Sequence, residues 1–395
     1  RSERLPVNIA LVIDRSGSMH GDKLAAACEA ASYVARQLRP SDRFGVVTYD
    51  DEVETVVAST PATQQAVEAA VARIACIDTG GCTDLGAGWL TGCGEVADHL
   101  DREAVNRAFL LTDGLANRGI TGHDPLCAHA RALRARGVST STFGIGADFD
   151  EVLLAGMAEA GGGNFHFIAD PEMIPSVFRQ ELGEGLEIVA PEARLAVSVP
   201  AGVHVASLNR YPVNAGDGPG EYVLDIGDLG SGQLLEPVLE LRFPAGEDGA
   251  FAPVTLRLSD SRGALDAEPR TLAFEYAGHR ANNAQQRDRD IDRRVAMLYA
   301  GVARREALAL NRDGAFDQAR DHLSRTRRRI EQYAGDDQDL QALVMDLCSA
   351  EDDYAEDLDP MARKAAYFAA SATVKERTHR GASRKRAGRR TVVIQ

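Results

Sequence analysis

Apolar residues follow three rhythms along this chain. In the first, up to about residue 185, short β-branched runs alternate with longer amphipathic stretches. Ile9-Ala10-Leu11-Val12-Ile13 is nearly continuous, as befits a central strand covered on both faces. Gly21 to Leu38 is Ala-rich with an apolar stripe and predicts a helix stopped before Pro40. Phe44 to Tyr49 and Val53 to Val57 read as strands separated only by Asp50, Asp51 and Glu52. So short a link permits a hairpin and forbids a parallel crossover, which predicts one antiparallel edge strand. Helices are predicted over Thr63 to Ile74, Asp84 to Leu100, Asp124 to Arg136, Asp150 to Ala160 and Pro171 to Leu182. Strands are predicted over Ala108 to Leu111, Val138 to Phe143 and Asn164 to Ile168. Alternation of this kind predicts a doubly wound, mostly parallel sheet with ligands at the carboxyl ends of its strands.

The second rhythm begins near Glu187. Ala193 to Val199, Val203 to Ser207, Tyr222 to Ile226, Leu234 to Phe243, Ala252 to Leu258 and Thr271 to Tyr276 are short alternating runs. Turn clusters separate them, including Asn214 to Gly220 and Pro244 to Gly249, and the pattern predicts an antiparallel β-sandwich. From Ala284 the period is helical, with Ile291, Val295, Leu298, Val302 and Leu308 on one face. Asn311-Arg312-Asp313-Gly314 breaks it, and Ala315 starts a second helix through Ile330. The pair is similar to a tetratricopeptide hairpin without a second repeat, and is read as a structural brace rather than a peptide groove. The acidic run from Asp336 to Asp359 reads as a solvated helix face with a loop, in preference to a calcium loop. Lys375, Arg377, Arg380, Arg384, Lys385, Arg386, Arg389 and Arg390 form a basic, flexible tail suited to an acidic partner or to that acidic run. The expected division is an α/β domain over residues 1–185, a β-sandwich over 186–280, a helical hairpin or bundle over 281–373 and the tail over 374–395.

Composition narrows the class. At 395 residues, two or three domains are expected, and 44% hydrophobic with 26% charged residues is ordinary for a globular chain. A formal net charge of -15 disfavours non-specific nucleic-acid binding. No apolar run approaches the ~20 residues that span a bilayer. The start, Arg1-Ser2-Glu3-Arg4, is neither an initiator Met nor an apolar signal region, so truncation of a longer chain and removal of a leader both stay open. Six cysteines are too few for a disulfide scaffold and are expected as free thiols of a reducing compartment. Pairing of Cys76 with Cys82 stays open. The expected location is cytoplasmic, with secretion or the cell surface as the alternative for a chain whose leader has been removed.

The candidate chemistry lies where the strands stop. Asp14 ends the first strand, and Ser16 and Ser18 follow at alternate positions with Gly17 closing the turn. Gly80-Gly81-Cys82-Thr83-Asp84 offers a hydroxyl from Thr83 just before a helix, and Thr112-Asp113-Gly114 ends another buried strand. Carboxylates and hydroxyls at carboxyl strand ends suit a hard metal ion. The constellation Asp14, Ser16, Ser18, Thr83 and Asp113 resembles the metal-ion-dependent adhesion site of the von Willebrand factor type A (VWA) family. There the motif runs Asp-x-Ser-x-Ser, then a lone Thr, then an Asp. The resemblance covers about residues 5–185 and implies a Rossmann-like VWA domain. It further implies a divalent ion, Mg²⁺ by preference with Mn²⁺ or Ca²⁺ as alternatives. Neutral hydroxyls leave much of the ion's charge uncompensated, and one coordination position remains open. In the family a carboxylate from another protein fills it, so the resemblance implies a non-catalytic protein–protein interaction module. The alternative is a metal-dependent hydrolase using the same ion to activate water. A VWA domain joined to a sandwich is similar in layout to inter-alpha-trypsin inhibitor heavy chains and their bacterial relatives. In several of these, sandwich strands precede the VWA domain.

Rival motifs in the first region are weaker. Gly144-Ile145-Gly146 follows a strand, yet Phe149 stands where a dinucleotide turn needs its third glycine. His123, Cys127 and His129 match no standard zinc spacing. Gly161-Gly162-Gly163 reads as a connector, and no Ser/His/Asp set carries a supporting motif.

Overall fold

The structure, a computed structural model, describes residues 5–186, 188–230, 233–265, 267–375 and 378–379. The basic-tail positions Arg377, Arg380, Arg384, Lys385, Arg386, Arg389 and Arg390 lie outside the described residues. Contacts divide the chain into two compact units that do not follow chain order. Unit 1 comprises residues 1–189, 308–316 and 356–369; unit 2 comprises 190–307, 317–355 and 370–395.

Unit 1 is built on β1 (Val7–Asp14), every residue of which is buried. Strands β2 (Arg43–Tyr49), β3 (Val53–Pro61), β4 (Val105–Thr112), β5 (Ser139–Ile145) and β6 (Gly162–Ile168) complete a six-stranded sheet in the order β3-β2-β1-β4-β5-β6. β1 pairs in parallel with β2 and β4, and β4 with β5, while β3 is the antiparallel edge that the short Asp50-Asp51-Glu52 link demands. The order reverses direction between β1 and β4, so the carboxyl ends of these two strands flank the crevice where such sheets bind ligands.

Alternation along β1 sends its two sets of side chains to opposite helix layers. Val7, Ile9, Leu11 and Ile13 share a core with α1 (Asp22–Gln37), α2 (Gln64–Ile74) and α6 (Ile174–Leu186) through Leu24, Ala27, Val67, Ile74, Ile174 and Phe178. The other face meets α3 (Leu85–Ala97), which lies close because its contact residues are glycines. A Cβ at Gly92 would stand 2.2 Å from Cγ2 of Val12, and one at Gly88 would stand 2.3 Å from the Tyr49 ring. Helices α4 (His123–Ala135) and α5 (Glu151–Ala160) complete that layer.

A second polar anchor sits at the start of α5. Asp150 caps the helix by accepting from the amides of Val152 and Leu153, both at 3.0 Å, and takes Arg312 Nη1 at 2.8 Å. Beside it, the buried Lys364 donates to Glu151 Oε2 at 2.8 Å and to the Phe149 carbonyl at 2.6 Å. These contacts explain why residues 308–316 and 356–369 group with the sheet.

Unit 2 begins in β7 (Ile188–Ser198), which joins β9 (Val213–Ala215), β10 (Glu221–Gly230), β13 (Phe251–Ser259) and β14 (Arg270–Glu275) in a sheet ordered β14-β13-β7-β10-β9. A smaller sheet pairs β8 (His204–Ser207) with β12 (Leu239–Arg242) in antiparallel fashion. Val197, Leu224, Ile226 and Val254 of the larger sheet and Val205 of the smaller one share one apolar core, with Leu239 and Leu241 packed against it. No described residue between 220 and 260 is helical.

Three local expectations need correction. Leu234 to Phe243 is not one strand: β11 (Gln233–Leu234) pairs with β15 (Thr378–His379), and β12 starts only after Pro237. Proline has no amide to give a ladder, and the next amide, Val238 N, donates instead to Asn209 Oδ1 at 2.6 Å. Val213–Ala215 is a strand although its last two residues carry the turn pattern, because β10 offers it a paired edge. Ile291, expected on an apolar helix face, is 56% exposed. Leu298 and Leu308 of the expected face of α8 (Arg289–Arg312) are fully buried, and Ala296, Ala300, Ala303 and Ala307 are buried with them. Small residues let helices approach, and a Cβ at Gly301 would lie 3.1 Å from Val374 of α11 (Pro360–Lys375). The acidic run forms α10 (Gln338–Asp353), capped by Asp337, which also receives Arg293 Nη2 at 2.7 Å. Between α8 and α10 lies α9 (Phe316–Ala334), and α7 (His279–Ala284) precedes α8.

Candidate metal centre

Asp14 is the last residue of the central strand, so its carboxylate emerges from the core with no exposed surface. The chain then turns sharply, and a single 3₁₀ turn over Gly17–Met19 is pinned by the fully buried Met19. Asp14 Oδ1 accepts the Ser16 amide at 2.8 Å, and Oδ2 accepts the Thr112 hydroxyl at 2.6 Å. The Ser16 and Ser18 hydroxyls lie 3.2 Å apart, and Ser18 donates to Asp113 Oδ1 at 2.6 Å. Four of the five sequence-selected residues are thus linked by direct hydrogen bonds at the carboxyl ends of β1 and β4.

Thr83 joins them through its loop. Gly80 N donates to the Arg15 carbonyl at 2.7 Å, and Gly17 N donates to the Gly81 carbonyl at 3.0 Å. Asp50, at the end of β2, accepts Gly81 N through Oδ2 at 3.0 Å, while its own carbonyl accepts Asp84 N at 2.7 Å. A Cβ at Gly80 would fall 1.6 Å from Asp50 Oδ2, so this close approach needs glycine. On the other side Thr83 N donates to Asn117 Oδ1 at 3.0 Å, and Asn117 N returns a bond to the Thr83 carbonyl at 3.3 Å. Asp84 then caps α3 by accepting Ala87 N at 3.0 Å. A Cβ at Gly114 would lie 3.6 Å from Ser18 Oγ and 3.8 Å from Thr83 Oγ1, so both hydroxyls border one gap above Gly114.

Electrostatics make that gap attractive to cations. Asp14 and Asp113 are both 0% exposed. Burial pushes the Asp14 carboxyl up to about 6, against the lowering effect of hydrogen bonds from Ser16 and Thr112, and the charge on Asp113 raises it further. Two buried carboxylates that raise each other's charging cost favour positive charge nearby. Lys23, in the first turn of α1, supplies some: its Nζ lies 2.5 Å from Asp113 Oδ2. The donors are all hard oxygens, from two carboxylates and three hydroxyls, which fits Mg²⁺ or a similar divalent ion and not a soft metal. Among the described residues no group of three or more His, Cys, Asp or Glu side chains could hold a metal, so a site here depends on its hydroxyls. His123, one of the rejected zinc candidates, pairs instead with Asp150 Oδ2 at 2.7 Å.

Several residues that shape the site escaped sequence reasoning. Thr112 holds Asp14, Asn117 holds Thr83, Asp50 holds the Gly80-Gly81 turn, and Lys23 meets Asp113. Thr112 alone had a local signal, its adjacency to Asp113 at a strand end. The others act across separations of 31, 34 and 90 positions. All six cysteines are free, with Cys76 and Cys82 exposed near this loop.

Comparison with known proteins bears on the domain and its fold. Residues 8–180 match the profile of the von Willebrand factor type A domain, and this region of the chain is a VWA domain. The chain is 28% identical over 242 residues to YfbK of Escherichia coli K12, a match covering 56% of this chain and 42% of that one. It is 30% identical over 157 residues to human inter-alpha-trypsin inhibitor heavy chain H6, covering 37% of this chain and 12% of that one. The chain therefore spans less than half the length of these curated relatives. Among solved structures, a von Willebrand factor type A protein from Catenulispora acidiphila superposes with a TM-score of 0.68 at 22% identity, covering 86% of this chain and 82% of the other. The ArnB paralog VWA2 from Sulfolobus acidocaldarius gives 0.55 at 17% identity, covering 95% and 89%. Both likenesses describe the fold.

Proposed function

We propose that this chain is a non-catalytic interaction module that holds a divalent ion, Mg²⁺ by preference, on Asp14, Ser16, Ser18, Thr83 and Asp113. The ion's remaining position takes an Asp or Glu side chain of a partner protein. VWA domains commonly bind protein partners through such sites, and this chain carries the domain. The observation that supports the reading best is the convergence of both serine hydroxyls and the Thr83 hydroxyl beside two fully buried carboxylates. A hard divalent ion held largely by neutral hydroxyls favours an anionic oxygen at its remaining position, and a partner carboxylate supplies one. A hydrolase would need a general base beside the ion in addition to the ligand carboxylates, and the sequence offers none at a recognisable spacing.

The test is affinity capture with Mg²⁺ or EDTA, comparing wild type with Asp14→Ala. Capture that needs Mg²⁺ and is lost in Asp14→Ala supports the reading. Capture indifferent to both, or turnover of phosphate esters or peptides by the purified chain, overturns it.

Asn117→Ala provides a milder probe of the same site. Removing the side chain that fixes the Thr83 amide is expected to lower Mn²⁺ affinity by about tenfold, as loss of a ligand's supporting bond commonly does. Stability should fall by only about 1 kcal/mol, since Asn117 is exposed. Titration calorimetry together with urea unfolding checks both halves, and unchanged Mn²⁺ affinity would remove Asn117 from the support of Thr83.

A further inference from the structure

Lys23 occupies a place that its own helix does not favour. It is the second residue of α1, where the positive end of the helix dipole disfavours a cation. Its stem crosses toward the strand ends, and a Cβ at Gly146, beyond β5, would lie 3.8 Å from both Cε and Nζ. The ammonium lies 2.5 Å from Asp113 Oδ2 and 3.5 Å from the Ser18 carbonyl. Asp113 has no exposed surface, whereas the Lys23 side chain is 27% exposed and so can withdraw toward solvent. Helix preference does not account for this position; the buried carboxylate does.

Resting on the metal-bridged reading above, we propose that Lys23 is a tethered competitor for the divalent ion, an internal cation that neutralises Asp113 and must give ground when the ion binds. Both cations draw on one carboxylate, and an ammonium a few ångströms from a doubly charged ion repels it. Lys23 therefore keeps the site's affinity for the ion lower than its oxygen donors alone would make it. It also stabilises the protein before the ion arrives.

Mn²⁺ titration of the intact chain, followed by electron paramagnetic resonance or calorimetry, tests this with Lys23→Met and Lys23→Gln. Met keeps the apolar stem, and Gln guards against a folding defect in the first variant. Both variants are expected to bind Mn²⁺ about tenfold more tightly than wild type, within the usual range of site-to-site coupling. Both should also melt at a lower temperature in EDTA, with the gap to wild type closing in saturating Mn²⁺. A lysine of merely structural importance would lower melting in both conditions and leave Mn²⁺ affinity alone. Folded variants that bind Mn²⁺ no more tightly than wild type overturn the inference while the metal reading stands. A wild-type chain that takes no Mn²⁺ overturns the metal reading itself, and this inference with it.

Discussion

Thr83→Ala is expected to weaken capture of a partner by more than tenfold while leaving the fold nearly intact. The hydroxyl borders the same gap as Ser18 Oγ, and the residue is 4% exposed. Its backbone is held independently of its side chain, by Asn117, so alanine should keep the loop in place. The lost contact is one donor in a metal-bridged, charge-assisted junction. Losing such a contact costs about 2–5 kcal/mol by analogy with buried interfacial charge pairs. At ~1.4 kcal/mol per decade that exceeds about tenfold in affinity, whereas the stability change should stay near ~1 kcal/mol. Surface plasmon resonance with and without EDTA measures the first, and urea unfolding the second. Normal binding by Thr83→Ala would show that recognition runs through another surface of the chain.

Glu181→Ala is expected to destabilise unit 1 severely without touching the metal centre. Glu181, on α6, is fully buried and accepts bonds from Arg107 Nη1 at 3.1 Å, the Ser141 hydroxyl at 2.6 Å, Asn164 Nδ2 at 2.9 Å and His166 Nε2 at 2.8 Å. It thus ties α6 to β4, β5 and β6. Removing one partner of a buried ion pair strands the other, and Arg107 is itself 4% exposed. That costs about 3–5 kcal/mol, a large share of a typical total of about 5–15 kcal/mol. The midpoint of thermal unfolding should drop by about 6–20 °C.

The pH dependence gives an independent check. Burial alone would raise the Glu181 carboxyl, but the His166 hydrogen bond and charge, the Arg107 charge and the Ser141 hydroxyl overcome it and hold the group well below its ordinary 4.5. A carboxyl depressed on folding stabilises above its unfolded value and loses that contribution as pH falls through the folded one. Wild type should therefore lose stability as pH drops below about 4.5, and Glu181→Ala should show a flatter acid limb. Equal slopes in the two proteins would mean that Glu181 does not carry the effect.

How much of this was legible beforehand differs between the site and its support. The five candidate ligands could be found because each stands where an apolar run stops: Asp14 after Ile13, Thr83 before the α3 run, Asp113 after Leu111. Strand ends in a doubly wound sheet converge, so local pattern carried long-range information. The antiparallel edge followed likewise from a link too short for a crossover.

What only the tertiary structure decided are contacts with no periodic signature. Asn117, Asp50 and Lys23 sit in polar loops or on a helix start, where a residue's role depends on which distant chain passes within hydrogen-bonding reach. The broken strand around Pro237 and the three-residue β9 depended on whether a partner edge was offered, not on propensity. On α8, Leu298 and Leu308 marked part of the buried face, but Ala296, Ala300, Ala303 and Ala307 escaped, since alanines carry little hydrophobic signal of their own. Their value there is smallness, which counts only once another helix lies against them. Hydrophobic alternation dictated which way each element must face; the identity of its neighbour, and so the polar wiring of the site, emerged only from packing.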